Sequence, residues 1–339
     1  MPPTSHSFLH KFPSIQLLSI CTLCAILAAI FLSNYFNDET SRSTTGLKPE
    51  NNISQTSVQE PKTALENFEC TARKYTTHVV SVDPLLIYID GFLGEEEADL
   101  LVELGSPSLA PSEIYLNAQK APSRTRTSRS AGLPPSSPLV SCILDRALLF
   151  IGPSLPQSNP SSSQPSNLDL NLSPNPNTNP LSLFGTPQIV QYGPGEHFAT
   201  HHDWYDTPQL LRDRDLKIGQ GQGQGKWMFN RWASFFVYLD EGAVGGETWF
   251  PYIDISASLP DSSGKGATKW RSHRGGDGEG NQGVDFLPKK GNALFWVNLH
   301  ANGTGDGRVV HAGLRVKEGT KTAMNIWPRV FYKDKRGGR

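Results

Sequence analysis

His201-His202-Asp203 is the sole His-x-Asp triplet in the chain. On a strand, positions i and i+2 point the same way, so His201 and Asp203 can grip one ion together. A third ligand from a distant strand would complete a two-histidine, one-carboxylate face, which leaves open positions on Fe(II) for dioxygen chemistry. Taken alone the triplet is weak, because surface polarity explains most such triplets. Two histidines downstream compete for the third place. His311 sits in a β-like run, Val309 to Leu314, whereas His300 opens a polar, Gly-rich loop, Ala301 to Gly307; His311 is the better ligand. Lys321 follows ten residues later, and an anionic cosubstrate needs such a cation at the far end of its pocket.

The elements that must position these groups read as short strands: Pro187 to Tyr192, Ala233 to Leu239, Thr248 to Pro251, Ala293 to Leu299, Val309 to Leu314 and Thr322 to Arg329. Gly-rich turns separate them, which argues for a sandwich or jelly roll over a doubly wound sheet. Before them come a strand-like run, Leu85 to Ile89, and two helical stretches. Glu95 to Leu104 has acids in its first turn and Leu100, Leu101 and Leu104 on one face; Leu139 to Ile151 is entered at Pro138 and left at Gly152. Both helices are expected to buttress one sheet from outside. Three low-complexity insertions interrupt the pattern: 153–180, where Pro, Ser and Asn fill 20 of 28 positions, 217–225 and 256–283. Such segments cannot bury an apolar face and read as surface loops.

The chain has 339 residues, 31 basic and 32 acidic. A net charge of −1 lacks the bulk signature of a nucleic-acid binder. The length supports one large domain or two ordinary ones. Phe12 to Asn37 carries no charge, and Ile15 to Leu32 is mainly apolar, long enough to cross a bilayer as a helix. Lys11 precedes this run and Asp38-Glu39 follows it, so the expected topology is a cytoplasmic tail and signal anchor (1–33), a polar, flexible luminal stem (34–75), a luminal catalytic domain (76–333) and a basic tail (334–339). A cleaved signal peptide is the alternative. Translocation makes the sequons at Asn52, Asn171 and Asn302 readable as glycosylation sites. It also places Cys70 and Cys142 where a disulfide can persist, with two free thiols as the other possibility.

Five blocks in order carry a family resemblance. They are Tyr192-Gly-Pro-Gly-Glu-His-Phe-Ala-Thr-His-His-Asp203; Arg231 followed by Tyr238-Leu239; Gly245-Gly246-Glu247-Thr248-Trp249-Phe250-Pro251; Pro288-Lys-Lys-Gly-Asn-Ala-Leu-Phe295; and His311-Ala-Gly with Gly319-Thr-Lys321 and Asn325-Ile-Trp327. From about Pro84 to Trp327 the chain resembles the prolyl 4-hydroxylase alpha-subunit family of iron(II)/2-oxoglutarate dioxygenases.

The resemblance implies a mainly β (α+β) fold, a double-stranded β-helix (jelly roll) buttressed by N-terminal helices, here preceded by a single transmembrane helix. It implies His201, Asp203 and His311 as iron ligands and Lys321 as partner of the distal carboxylate of 2-oxoglutarate. Tyr192 and Thr248 would hydrogen-bond near that end, and Arg231 and Trp327 would line the peptide groove or site mouth. The implied reaction consumes 2-oxoglutarate and O2, with L-ascorbate as a further cofactor, and releases succinate while hydroxylating an unactivated C–H. Peptidyl proline at C4 is the expected acceptor; another side chain, a small molecule, or a non-catalytic jelly-roll binding module are the alternatives. The expected partner is a proline-containing peptide, in the endoplasmic reticulum or the Golgi; oligomeric state and any partner subunit stay open. Three departures bear on the substrate: Phe198 where many relatives have Tyr, Arg315 for a common Pro, and Thr322 for an aromatic residue.

Overall fold

The computed structural model describes residues 65, 68–116, 119–122, 125–152, 183–210, 227–255, 269–273 and 282–333. The expected membrane anchor, most of the stem, the sequons at Asn52 and Asn171, the insertions at 153–180 and 217–225 and the basic tail lie outside these residues. Among the described residues no helix is long and apolar enough to cross a membrane.

The chain is mainly β. An eight-stranded antiparallel sheet runs in the order Thr76–Val82, Leu85–Asp90, Ala293–Val297, Ala233–Tyr238, Lys321–Ile326, Gln188–Tyr192, Arg129–Gly132 and Ala110–Pro111. A five-stranded sheet faces it, ordered Trp270–Ser272, Val284–Phe286, Thr248–Phe250, His311–Gly313 and Phe198–His201. Most neighbouring strands come from distant parts of the sequence, as in a jelly roll. Helices α1 (Glu95–Gly105) and α2 (Pro138–Ile151) cover the outer face of the larger sheet.

Three layers explain why the central strands are apolar throughout. All six residues of Ala233–Tyr238 are buried. Phe235 and Val237 join the helix-side core with Ile143, Leu144 and Phe295, while Phe236 and Tyr238 join the core between the sheets with Leu294, Trp296 and Phe250. The period of two survives, but both faces are covered, so no polar alternation marks it. Each large apolar side chain buried this way contributes about 1.5–3 kcal/mol. Helix α1 is tied to α2 by a buried ion pair: Arg146 donates to Glu97 Oε1 at 2.7 Å and Oε2 at 2.9 Å, and to the Phe92 carbonyl at 2.9 Å.

Two expected boundaries move. The stem, expected to be flexible through residue 75, is already packed from Phe68: Cys70 is disulfide-bonded to Cys142 on α2, Arg73 donates to the Gly91 carbonyl, and the Tyr75 ring meets Phe92 and Phe150. The 256–283 insertion contains a strand, Trp270–Ser272, which pairs with Val284–Phe286 and lays Trp270 against Tyr88. Gly, Ser and Asp on both sides hide this three-residue strand in composition.

Candidate active site

Register brings the two imidazoles together. His311 pairs directly with His201 across the two last strands of the smaller sheet, and their ring centroids are 4.3 Å apart. In each ring Nδ1 faces a backbone carbonyl, Ala199 for His201 (2.9 Å) and Val309 for His311 (3.1 Å). A carbonyl only accepts, so Nδ1 carries the proton and the Nε2 lone pair is left for a ligand. Phe250 and Trp296 pack on His311, with centroids at 5.3 and 4.7 Å.

Asp203 completes the group, for a reason other than strand parity. The strand ends at His201, and Asp203 stands in the turn beyond it. Residues in and beside the larger sheet hold it there: Ser234 Oγ, within Ala233–Tyr238, donates to Asp203 Oδ2 at 2.6 Å, Trp327 Nε1, just past Lys321–Ile326, donates to the same oxygen at 3.2 Å, and Arg231, at the end of the separate strand Trp227–Arg231, donates to the Asp203 carbonyl at 3.2 Å. Asn298 Nδ2 in turn donates to Ser234 Oγ. His201 Nε2 is 4.0 Å from Asp203 Oδ1, and His311 Nε2 is 3.9 Å from Asp203 Oδ2. Ligand atoms of all three lie within 4.8 Å of one another. His300, the competing histidine, is an exposed neighbour of Asp306 and lies outside this group.

The electrostatics suit a cation. Burial, helped by the neighbouring His311, pushes His201 down to about 3, and burial also lowers His311. Burial pushes Asp203 up, but its coupling to His311 and His201, the Arg231 charge and the Ser234 hydrogen bond outweigh it and lower the carboxylate overall. Two neutral imidazoles and one carboxylate therefore point their lone pairs at a common space, the donor set of a two-histidine, one-carboxylate Fe(II) site.

Lys321 opens the strand that pairs with Gln188–Tyr192, directly opposite Tyr192. It is 1% exposed, and burial lowers it to about 7. Its ammonium lies 5.1 Å from the Phe236 ring centroid and 5.5 Å from that of Tyr192, and Nζ reaches Thr248 Oγ1 at 3.4 Å. Among the described residues no carboxylate lies within ion-pair distance of it. A buried ammonium without a partner anion is costly, so a carboxylate brought to it would be favoured. Gly246 leaves room for this side chain: its φ is +71°, and a Cβ there would lie 3.0 Å from Val316 Cγ2 and 3.3 Å from Lys321 Cδ. Tyr192, 4% exposed, is pushed up to about 12 by burial, so its hydroxyl stays a donor.

Of the expected site residues, the structure brings His201, Asp203 and His311 together, and sets Lys321, Tyr192 and Thr248 beside the core between the sheets. Arg231 and Trp327, expected at the groove or mouth, are stacked on each other at 3.6 Å and both touch Asp203. Sequence reasoning missed Ser234, Asn298 and Tyr238. Tyr238 donates to Thr248 Oγ1 at 2.9 Å and so orients the hydroxyl that Lys321 reaches. It was in plain view in the Arg231…Tyr238-Leu239 block, where only a role was lacking. A cleft of about 360 Å³ neighbours the site, lined by Phe198, Trp249, Arg271, His273 and Asp285 but by none of the triad.

Residues 187–329 match the 2OG-Fe(II) oxygenase superfamily. Prolyl 4-hydroxylase subunit alpha-3 of Mus musculus is 28% identical over 249 residues, 74% of this chain and 34% of that protein. Probable prolyl 4-hydroxylase 7 of Arabidopsis thaliana is 26% identical over 313 residues, 91% of this chain and 80% of that protein. The chain thus spans about a third of the mouse subunit's length. Among solved structures, the viral collagen prolyl hydroxylase vCPH of Paramecium Bursaria Chlorella virus-1, crystallised with 2OG, superposes with a TM-score of 0.42 at 20% identity over 72% of this chain and 95% of that one; the fold assignment rests on the topology above and not on this likeness. Sequence match, donor set and buried cation agree: residues 187–329 match the 2OG-Fe(II) oxygenase superfamily, and the chain carrying them is similar to the prolyl 4-hydroxylase alpha subunits.

Proposed function

We propose that the chain is a 2-oxoglutarate- and Fe(II)-dependent dioxygenase that hydroxylates peptidyl proline at C4. The observation that carries this reading is the His201–Asp203–His311 group, with ligand atoms within 4.8 Å and both Nδ1 atoms committed to backbone carbonyls. These three residues would hold the iron. Lys321 would pair with the distal carboxylate of 2-oxoglutarate, Thr248 and Tyr192 adding hydrogen bonds. When bound, iron and 2-oxoglutarate supply the oxidation that consumes O2 and releases succinate and carbon dioxide, with ascorbate keeping the metal ferrous.

What the chain itself does is bind, orient and exclude water. Phe236, Tyr238, Trp296 and Phe250 wall the space in apolar surface. Arg231 stacked on Trp327 fixes Asp203 and flanks the side from which a peptide would approach. Proline is favoured as acceptor by the relatives' names. Phe198, Arg315 and Thr322 depart from the family pattern and keep another side chain as the second reading.

The deciding experiment supplies the protein with iron, ascorbate and 2-oxoglutarate and presents peptides with and without proline. Succinate release coupled to the gain of one oxygen atom on proline peptides is expected. Uncoupled or proline-independent turnover would favour the second reading. His311→Ala and Lys321→Ala should abolish succinate formation; unchanged rates in both would remove the site assignment.

We further propose that the catalytic domain lies in the lumen of the endoplasmic reticulum behind an N-terminal anchor, the Golgi being the other secretory location. The apolar run at 15–32 and the Cys70–Cys142 disulfide support it, since disulfides persist in oxidising compartments. Asn302 is exposed within its sequon and can accept a glycan. Protease protection in sealed microsomes tests the topology; cleavage of the catalytic domain without detergent would refute it.

A further inference from the structure

Phe198 lies flat on His201. Their ring centroids are 3.5 Å apart and the planes differ by 14°. Neutral aromatic rings avoid such overlap and prefer offset or edge contacts with centroids roughly 4.5–7 Å apart. An imidazole whose Nε2 is bound to a divalent cation is electron-poor, and the electron-rich face of a phenyl ring suits it, as it suits a cation. A metal-bound His201 would suit this stacking better than the free ring would.

Phe198 is held there by its backbone. Ala199 N donates to the Thr125 carbonyl at 2.8 Å, Thr127 N donates to the His197 carbonyl at 3.1 Å, and Phe198 bridges to Arg126 between them. The Arg126 guanidinium carbon lies 4.9 Å from the Phe198 ring centroid and walls it further. Exposure shows what this wall does. The side chains of Asp203 and His311 are each 8% exposed, but that of His201 is 21%. Phe198 also lines the neighbouring cleft, whereas His201, against which it stacks, does not.

We propose that Phe198 is a positioning residue for the metal: it shields His201 and stabilises the metal-bound imidazole. The inference rests on the iron-site reading above, and the experiment separates the two. Mn(II) is titrated into the metal-free full chain of wild type, Phe198→Leu, Phe198→Tyr and His311→Ala, with the thermal midpoint of each metal-free protein and the rate of Mn(II) loss to a chelator. Phe198→Leu should bind about ten-fold more weakly, in the range of outer-shell substitutions at metal sites, and lose Mn(II) faster. Phe198→Tyr should bind like wild type, and the metal-free midpoints of wild type and Phe198→Leu should coincide. Wild-type affinity in Phe198→Leu overturns the proposal, and so does a metal-free midpoint that falls with the affinity, which would make Phe198 a packing residue. Should His311→Ala bind Mn(II) as tightly as wild type, the iron-site reading falls first and this inference with it.

Discussion

Asp203 is gripped from the sheet opposite the one that carries His201 and His311. Its Oδ2 takes hydrogen bonds from Ser234 and Trp327, so that oxygen serves orientation while the other faces His201. Ser234→Ala removes the shorter bond, and metal affinity should fall by about ten-fold, read by Mn(II) titration, with little change in fold. Lys321 gives a pH prediction. Burial holds it at about 7 in the structure, and a bound carboxylate would raise it again. A group raised on binding favours binding below its free value, so the affinity for 2-oxoglutarate should be full below pH about 7 and fall as pH rises above it. Calorimetric titration from mildly acidic to alkaline pH checks this, and Lys321→Met should flatten the profile. The triad and Lys321 were legible because their residue types are scarce, their order is fixed and their blocks are distinctive. Ser234 and Asn298 were not: each is a single common polar residue in an apolar run, and its role exists only once Asp203 has been brought across from another sheet.

Helices α1 and α2 were legible almost to the residue. Their apolar spacing, the Pro138 start and the acids at Glu95, Glu96 and Glu97 are all local signals. Their pairing through Glu97 and Arg146, 49 positions apart, was not, because long-range ion pairs leave no local pattern. Burial pushes Glu97 up, but hydrogen bonds from Arg146 and from the Gly94 amide, with the charges of Arg146 and Arg73, leave it lowered overall. A lowered carboxylate gives stability that is present above its ordinary value and lost as pH falls through the folded one. Arg146→Ala strands the Glu97 charge and should cost about 3–5 kcal/mol in denaturant unfolding, whereas a double substitution to matched apolar residues should cost much less. The Cys70–Cys142 disulfide fixes the start of the domain to α2. Cys142→Ala should lower stability by about 2–4 kcal/mol, with reductant producing a similar loss in wild type and none in the variant. The strand Trp270–Ser272 was invisible because its three residues lie in a Gly-, Ser- and Asp-rich stretch and are fixed by the neighbour Val284–Phe286, not by their own sequence.

At the scale of the molecule, alternating strands and turns suggested a jelly roll, and the two facing sheets follow that plan. Strand order was illegible from pattern, since Leu85–Asp90 pairs with Ala293–Val297 some two hundred residues away. Such pairings are fixed by tertiary burial, and they make the architecture rich in non-local contacts, which slows folding. The split origin of the triad has a mechanical consequence. Two imidazoles belong to one layer and the carboxylate is clamped by the other, so an ion seated among them is a rivet through the sandwich. Unfolding must draw that rivet, and the thermal midpoint should climb with free metal concentration, by the equivalent of about 2.7 kcal/mol at a hundred times the dissociation constant. Iron supply would then govern how long the chain survives as well as how fast it turns over.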